Sequence, residues 1–222
     1  MTREPRTARQ LRADDTRARL FAAAAAAFTE RGYNETTVDE IARRAGVAKG
    51  TFFVHFASKA SVVIELVKIQ TRATERARAR ALESGGSPVD ALRATVLMLG
   101  EQAGASRELS RAVLAAGLMS REVGGATDAL FGEVYKQMIA DAREAQRRKL
   151  VAAKLDPETV ASALMASYLG AALHFTSSPR SKELMVVLRP LVEANLDGFR
   201  RTSSKEGSDA PKRRVSRSSA RR

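Results

Sequence analysis

Apolar side chains recur at intervals of three and four residues along most of the chain, which is the spacing of one face of an α-helix. No stretch alternates apolar and polar residues for long enough to predict a β-sheet. Glycine, proline and serine interrupt the helical pattern, and the segments between the interruptions have the length of helices. The interruptions lie at Gly32, Ala45-Gly46, Ala57-Ser58, 84–88, Gly124-Gly125, Asp156-Pro157 and 177–181. The pattern therefore predicts an all-α protein of about nine helices.

Three helix starts carry strong local signals. Thr37 followed by Glu40 predicts a capping box, in which each side chain bonds the backbone N–H of the other residue. Ser87-Pro88 and Asp156-Pro157 each place a capping oxygen before a proline at the first helical position. We therefore expect helices to begin at these three points.

The segment 15–56 contains the most specific pattern of the chain. Its first helix carries Leu20, Ala24 and Phe28 on one side, and its second carries an apolar face that ends before Gly46. That glycine is free to take a positive φ, and a third helix follows at about 48–56. Two short helices joined by such a turn form a helix-turn-helix, a motif that places its second helix in the major groove of DNA. Phe52 and Phe56 of this helix are predicted to be core residues, while Lys49, Thr51 and His55 are predicted to be available to DNA.

The run 20–63 resembles the DNA-binding domain of the TetR family of bacterial regulators. It amounts to about a fifth of the chain, and the matching positions are spread through it. They are Phe28, Gly32-Tyr33, 36–38, Ile41-Ala42, 45–47, Gly50-Thr51, His55-Phe56 and Ser58-Lys59. The resemblance implies a three-helix DNA-binding head followed by a helical domain that senses a ligand and dimerises. It also implies a lever mechanism, because the fourth helix, at about 58–82, begins in the head and continues into the body.

The same resemblance implies a set of residues that contact DNA. Thr37 and Lys59 resemble phosphate-binding residues, and Lys49 lies where bases are read. The full set is Thr37, Ala48, Lys49, Gly50, Thr51, Phe53, Val54, His55 and Lys59. Phe53 stands where many family members have a Tyr whose hydroxyl binds phosphate. Val54 stands where the family pattern has a polar or aromatic residue, and Ala60 stands where it often has an acidic residue. Other roles remain open: Thr37 can serve only as a cap, His55 can be a packing residue, and both lysines can be solvated surface.

Four segments follow from these patterns: a basic flexible arm at 1–13, the helix-turn-helix domain at 14–57, a helical ligand-sensing and dimerisation domain at 58–200, and a disordered basic tail at 201–222. Lys and Arg exceed Asp and Glu by 13, and most of the excess lies in the arm and the tail. The two basic ends either bind the phosphates of DNA or serve only to keep the protein soluble. In the fourth helix we expect Val62, Leu66, Ile69 and Ala73 to face inward. The body helices are expected at 88–104, 107–121, 127–150, 157–175 and 184–199.

The body must supply a ligand pocket and a dimer interface. Candidates for the pocket combine adaptable apolar groups with polar tips, and the ligand is expected to be a largely apolar small molecule. These candidates are Met98, Gln102, Met119, Phe131, Tyr135, Met138, Tyr168 and His174. The helix at 157–175 is apolar nearly all round, so it needs cover on both sides. We therefore expect the last two helices to pair with those of a second copy, the alternative being a fully buried helix in a monomer.

Composition excludes several other classes of function. The chain has no Cys and only two His, so thiolate, disulfide and histidine metal sites are not expected, and no catalytic motif or cofactor site is evident. The first residues contain no apolar core of a secretory signal, and no stretch is long enough to span a bilayer. We expect a cytoplasmic, homodimeric repressor that a small molecule releases from a palindromic double-stranded DNA operator. The alternatives are an activator or a broad nucleoid-like regulator and, remotely, a helical enzyme or interaction protein.

Overall fold

The computed structural model describes residues 7–201, and the predicted basic tail, apart from Arg201, and residues 1–6 lie outside this range. Within it the chain forms nine α-helices and no strand, which confirms the predicted all-α class. The helices are α1 (Ala8–Glu35), α2 (Val38–Arg44), α3 (Lys49–His55), α4 (Lys59–Glu83), α5 (Pro88–Gly104), α6 (Arg107–Met119), α7 (Arg121–Arg147), α8 (Pro157–Ser177) and α9 (Leu184–Arg201). No helix among these residues is both long and apolar enough to cross a bilayer.

Helix α1 begins earlier than expected. Thr7 and Gln10 form a capping box, and residues 8–13, which we expected in a flexible arm, are its first turns. The residues of this stretch are mostly good helix formers, and the cap satisfies the first backbone donors. The predicted interruption at Gly32 is confirmed, since its φ of 80° breaks the helical backbone near the end of α1.

The other caps agree with the sequence only in part. Ser87 and Asp90 form a capping box, as the Ser-Pro start suggests. The Thr37 hydroxyl accepts from the N–H of Glu40 at 3.2 Å, but no reciprocal bond forms because the Glu40 carboxylate pairs with two arginines. Asp156 precedes α8 without a capping bond from its side chain, so the expectation of a capping oxygen there was wrong.

The predicted interruption at Gly124-Gly125 was also wrong. Both glycines lie inside α7, which begins after Ser120, a residue that ends α6 and caps α7. A Cβ on Gly124 would lie 2.8 Å from the carbonyl oxygen of Gly117 in α6. Here glycine permits a close approach of two helices instead of ending one.

Two apolar clusters divide the described part of the chain. The body cluster is built from α5, α7, α8 and α9, and its most buried side chains include Leu92, Met138, Leu164 and Leu188. The head cluster joins α1, α2, α3 and the start of α4 with residues of α6 and with Val123 at the start of α7. Neither α4 nor α6 contributes a residue to the body cluster. By its apolar packing, α6 is therefore a part of the head.

The buried face of α4 differs from the expected one. Val62 is buried as predicted, whereas Ile69 is 43% exposed and Ala73 only half-buried. The buried positions are instead Ala60, Val62, Val63, Val67, Thr71 and Thr74. The start of this helix packs in the head cluster, while α5 and α7 also contact α4. A single apolar stripe extrapolated through the whole helix misses this change of neighbours.

Candidate nucleic-acid interface

Helix α3 is held to the head by its aromatic side. Phe52 and Phe56 are buried, with ring centroids 5.7 Å apart. The Arg17 guanidinium lies 4.2 Å from the centroid of the Phe56 ring and donates to the carbonyl of His55 at 2.5 Å. Between α2 and α3, Gly46 takes a φ of 66°, as the turn requires. These contacts fix the orientation of α3 and leave its opposite side open.

The open side of α3 has no role in the core. Phe53 is 50% and Val54 80% exposed, and a Cβ on Gly50 would meet no atom within 4 Å. Thr51 and His55 are half-buried beside this surface, and Ala48 and Lys49 are exposed at its start. These apolar groups, on a short and rigidly held helix, are accessible to another molecule. Groups of this kind can contact thymine methyls, and the absence of a side chain at Gly50 permits close approach to a base edge.

Lys49 forms an ion pair that is open to exchange. Its Nζ lies 2.8 Å from a carboxylate oxygen of Asp39 in α2, and both side chains are more than half exposed. An exposed pair of this kind contributes about 0.2 to 1 kcal/mol. The ammonium can therefore leave Asp39 for a stronger acceptor such as a guanine edge or a phosphate.

Thr37 retains a donor after capping α2. Its side-chain oxygen accepts the Glu40 N–H, and the residue is exposed. A hydroxyl has one proton and two lone pairs, so it can cap a helix and donate to a phosphate at the same time. The two roles considered for Thr37 are therefore compatible.

Lys59 is engaged in a different way from the phosphate contact that the sequence suggests. Its ammonium donates to the carbonyls of Tyr33 at 2.6 Å, Thr36 at 2.9 Å and Asn34 at 3.3 Å, and it lies 4.3 Å from the centroid of the Tyr33 ring. Three acceptors use all three donors of an ammonium group. Burial lowers the pKa of Lys59, against the opposing charge of Glu35. In this structure Lys59 ties the end of α1 to the start of α4.

A cavity of about 210 Å³ opens between α4, α5 and α7 in the body. Its lining is Thr74, Glu75, Arg78, Thr95, Glu133, Val134 and Gln137. None of the eight residues proposed from the sequence as ligand contacts belongs to this lining. Six of the seven lining side chains carry a hydroxyl, amide or charged group, but about half of the exposed surface is apolar, so the cavity offers both polar and apolar contacts.

The eight candidates do not converge on one site. Met138 is buried in the body cluster, and the buried Tyr168 hydroxyl accepts from Gln70 at 3.3 Å. Met98, Phe131 and Tyr135 are half-buried, whereas Gln102, Met119 and His174 are exposed. Met119 lies at the head, where its sulfur accepts from Asn34. Helical periodicity gives the face of each residue on its own helix but not the space between helices.

Sequence reasoning missed a buried ion pair beside the cavity. The Arg78 guanidinium donates to the two carboxylate oxygens of Asp141 at 2.7 and 2.6 Å, and Asp141 is 4% exposed. The hydrogen bond to Asp141 raises the pKa of Arg78. A signal was present, since Asp141 lies on the same helical face as the apolar Val134 and Met138. A carboxylate on a buried face requires a buried partner, although the sequence does not say which residue that is.

The outer face of α8 and α9 is apolar, and no part of residues 7–201 covers it. Leu169 and Leu173 of α8 are 51% and 67% exposed, and Val186 and Leu191 of α9 are 59% and 41% exposed. Gly170 lies on the same face, with open space around the position of a Cβ. The opposite side of α8 packs into the body cluster. Residues 7–201 therefore cover α8 on one side only.

Comparison with known proteins places these features in a family. A sequence profile described as bacterial regulatory proteins of the tetR family matches residues 20–66. The chain is 32% identical over 154 residues to the transcriptional regulator AcuR of Cereibacter sphaeroides, and the match covers 66% of this chain and 69% of AcuR. It is 38% identical over 85 residues to the A-factor receptor protein of Streptomyces griseus, covering 38% of this chain but only 29% of that protein.

The fold also matches solved structures along most of its length. The transcriptional regulator FadR from Bacillus subtilis, solved in complex with stearoyl-CoA, superimposes with a TM-score of 0.71 at 16% identity. The superposition covers 82% of this chain and 98% of that one. At this identity the comparison establishes a shared architecture.

Proposed function

Since the chain belongs to the TetR family of bacterial transcriptional regulators, we propose that it is a homodimeric repressor that binds a palindromic operator and leaves it when a small molecule occupies the body. Its relatives are regulators and not enzymes. The observation that carries the proposal is the exposed side of α3, which has no role in the core and a shape suited to base edges. A protein that acts on the bacterial chromosome works in the cytoplasm.

Selection of bound sequences from randomised duplex DNA tests operator recognition. We expect an inverted repeat whose half-sites are separated by a multiple of the helical turn, because a two-fold dimer presents two copies of α3. A sharp footprint on the selected sequence supports a repressor or an activator, and a promoter-reporter assay separates these two. A broad footprint without an enriched sequence would favour the nucleoid-like alternative.

The uncovered face of α8 and α9 supports the dimer. A second copy would cover Leu169, Leu173, Val186 and Leu191, and Gly170 would allow the helices to approach closely. We expect Gly170→Arg to give monomers in sedimentation experiments. Gly125→Arg is the matched control, because Gly125 is also an exposed helical glycine with open space but lies on α7. A dimer that persists in Gly170→Arg would remove this face from the interface.

The cavity between α4, α5 and α7 supports a ligand site. Its volume corresponds to roughly seven water molecules at about 30 Å³ each, so the ligand that fits it without rearrangement is small. The lining places hydroxyl, amide and charged groups beside about as much apolar surface, so we expect a small ligand that carries both polar and apolar groups.

Paired variants at the rim of the cavity test this site. Fluorescence anisotropy of labelled operator identifies compounds, from a set of small metabolites that carry both polar and apolar groups, that release the wild-type protein. We expect Gln137→Trp to block the response, because Gln137 lines the cavity, and Lys136→Trp to keep it, because Lys136 is exposed beside it. An unaltered response in both variants would place the ligand elsewhere.

A further inference from the structure

Helix α6 joins the head to the end of α8 through two kinds of contact. Towards the head it packs by apolar side chains: Ala112 and Ala116 are buried in the head cluster, and Leu109 and Val113 pack against it. Towards the body it makes polar contacts that begin at its first residue, Arg107. The head and α6 thus form one packed unit, and the contacts of Arg107 join this unit to α8.

The Arg107 side chain binds carbonyls in the last turn of α8 and in the residues that follow it. Its guanidinium donates to the carbonyls of Phe175 at 2.6 Å and Ser181 at 2.9 Å, and also to that of Ser178. It also lies 4.2 Å from the centroid of the buried Phe175 ring. One turn later on α6, Arg111 donates to the carbonyl of Thr176 at 2.8 Å.

These contacts fix the orientation of α6 relative to the end of α8 as well as the distance between them. The last carbonyls of a helix have no partner within the helix, and a cation there is favoured by the helix dipole. A guanidinium is planar and its donors form a rigid fork, so carbonyls bound at several of them determine its orientation. With Arg107 held in this way, α6 has one defined angle to the end of α8. Two residues before Phe175, Leu173 lies on the outer face that we assign to the dimer.

We propose that Arg107 is a positioning residue that sets the orientation of the DNA-binding head relative to the dimer interface, and thereby the half-site spacing that the dimer accepts. This inference rests on the proposed dimer and its operator. A change of one base pair in spacing moves one half-site by about 3.4 Å and rotates it by about 35° around the duplex. A head held at one angle rejects such a change, whereas a loosely held head tolerates it.

Spin-label distances test the positioning role without DNA. The chain has no Cys, so Arg43→Cys on the exposed side of α2 introduces one label site in each head. We expect a narrow distribution of distances between the two heads of the dimer. Adding Arg107→Gln should make it about twofold wider, since the head then samples several orientations. Arg143→Gln is the control: Arg143 is an exposed arginine of α7 that takes no part in the contacts of Arg107, so its substitution should leave the width unchanged.

Arg107→Lys keeps the positive charge but replaces the planar guanidinium, with its rigidly arranged donors, by an ammonium group. We expect an intermediate width, because one ammonium cannot hold three carbonyls and an aromatic ring in the same geometry. If Arg107→Gln does not fold, the same distance measurement can be made with Arg107→Lys. An unchanged width in a dimeric Arg107 variant would overturn the inference and leave the proposed dimer intact. If the wild-type protein shows no dipolar coupling at all, the dimer itself is wrong, and the inference fails with it.

Binding to DNA of altered spacing provides the second readout. With the sequence selected by the wild-type protein, we expect insertion of one base pair to weaken wild-type binding much more than Arg107→Gln binding. On the original spacing, Arg107→Gln should bind about tenfold more weakly if one dimer in ten has the competent geometry. A variant that loses affinity equally for all spacings would show a merely structural role. Equal melting temperatures of Arg107→Lys and wild type would exclude global destabilisation as the cause.

Discussion

The ion pair between Lys49 and Asp39 allows the base-reading role of α3 to be tested in two directions. Lys49→Ala removes a base contact that contributes about 1 to 3 kcal/mol to discrimination. Part of that contribution is offset, because Lys49 must first leave Asp39, and an exposed pair contributes about 0.2 to 1 kcal/mol. The net loss on operator is then about 0 to 2.8 kcal/mol, centred near 1.4 kcal/mol, which is about tenfold in affinity. On random DNA the loss should be smaller, since no base is read there.

Asp39→Asn should act in the opposite sense. Removing the carboxylate frees the ammonium and should tighten operator binding by about 1.5- to 5-fold, which corresponds to the same 0.2 to 1 kcal/mol. The double variant Lys49→Ala with Asp39→Asn separates two causes. If the gain comes from release of Lys49, it vanishes in the double variant. If the gain comes from reduced repulsion between Asp39 and phosphate, it remains.

Fluorescence anisotropy with selected operator and with random duplex, at several salt concentrations, measures all four proteins. The salt series is needed because phosphate contacts change the slope of affinity against salt by about 0.9 per contact. The reasoning is refuted if Lys49→Ala loses the same factor on operator and on random DNA while the slope falls by one contact. Lys49 would then be a phosphate-binding residue.

Other predictions concern the stability of the body, measured by urea denaturation. Gly100→Ala should destabilise the protein by about 1 kcal/mol, because the new Cβ would lie 2.8 Å from the sulfur of Met185. Overpacking of this kind costs about 1 to 3 kcal/mol, which exceeds the gain in helix propensity from replacing glycine. Gly132→Ala has open space and should stabilise by about 0.5 to 1 kcal/mol, so equal signs for the two variants would contradict the packing of α5 against α9. Asp141→Asn leaves Arg78 without its counter-charge and should destabilise by about 3 kcal/mol, the lower end for a buried pair because the Arg78 side chain is 23% exposed. An unchanged urea midpoint would show that this pair adds nothing to stability.

The head could be predicted from the sequence because its signals are local. The apolar face of α2, the turn at Gly46 and the aromatic anchors of α3 lie within about 20 residues of each other. Helical spacing then assigns Phe52 and Phe56 to the core and leaves Lys49 outside. The role of Lys59 was not predictable in this way, because the carbonyls that bind it come from the end of α1 and their direction depends on the break at Gly32.

The sequence by itself determined the helical class, the order of the helices and the surface of α3, since periodicity, caps and turn residues act over one or two turns of chain. The tertiary structure decided which helices share a core, where a cavity remains, and which charges meet. Asp141 and Arg78 are 63 residues apart, and Arg107 and Phe175 are 68 apart. No local pattern encodes such separations, because the partner of a side chain is set by the crossing of packed helices in three dimensions.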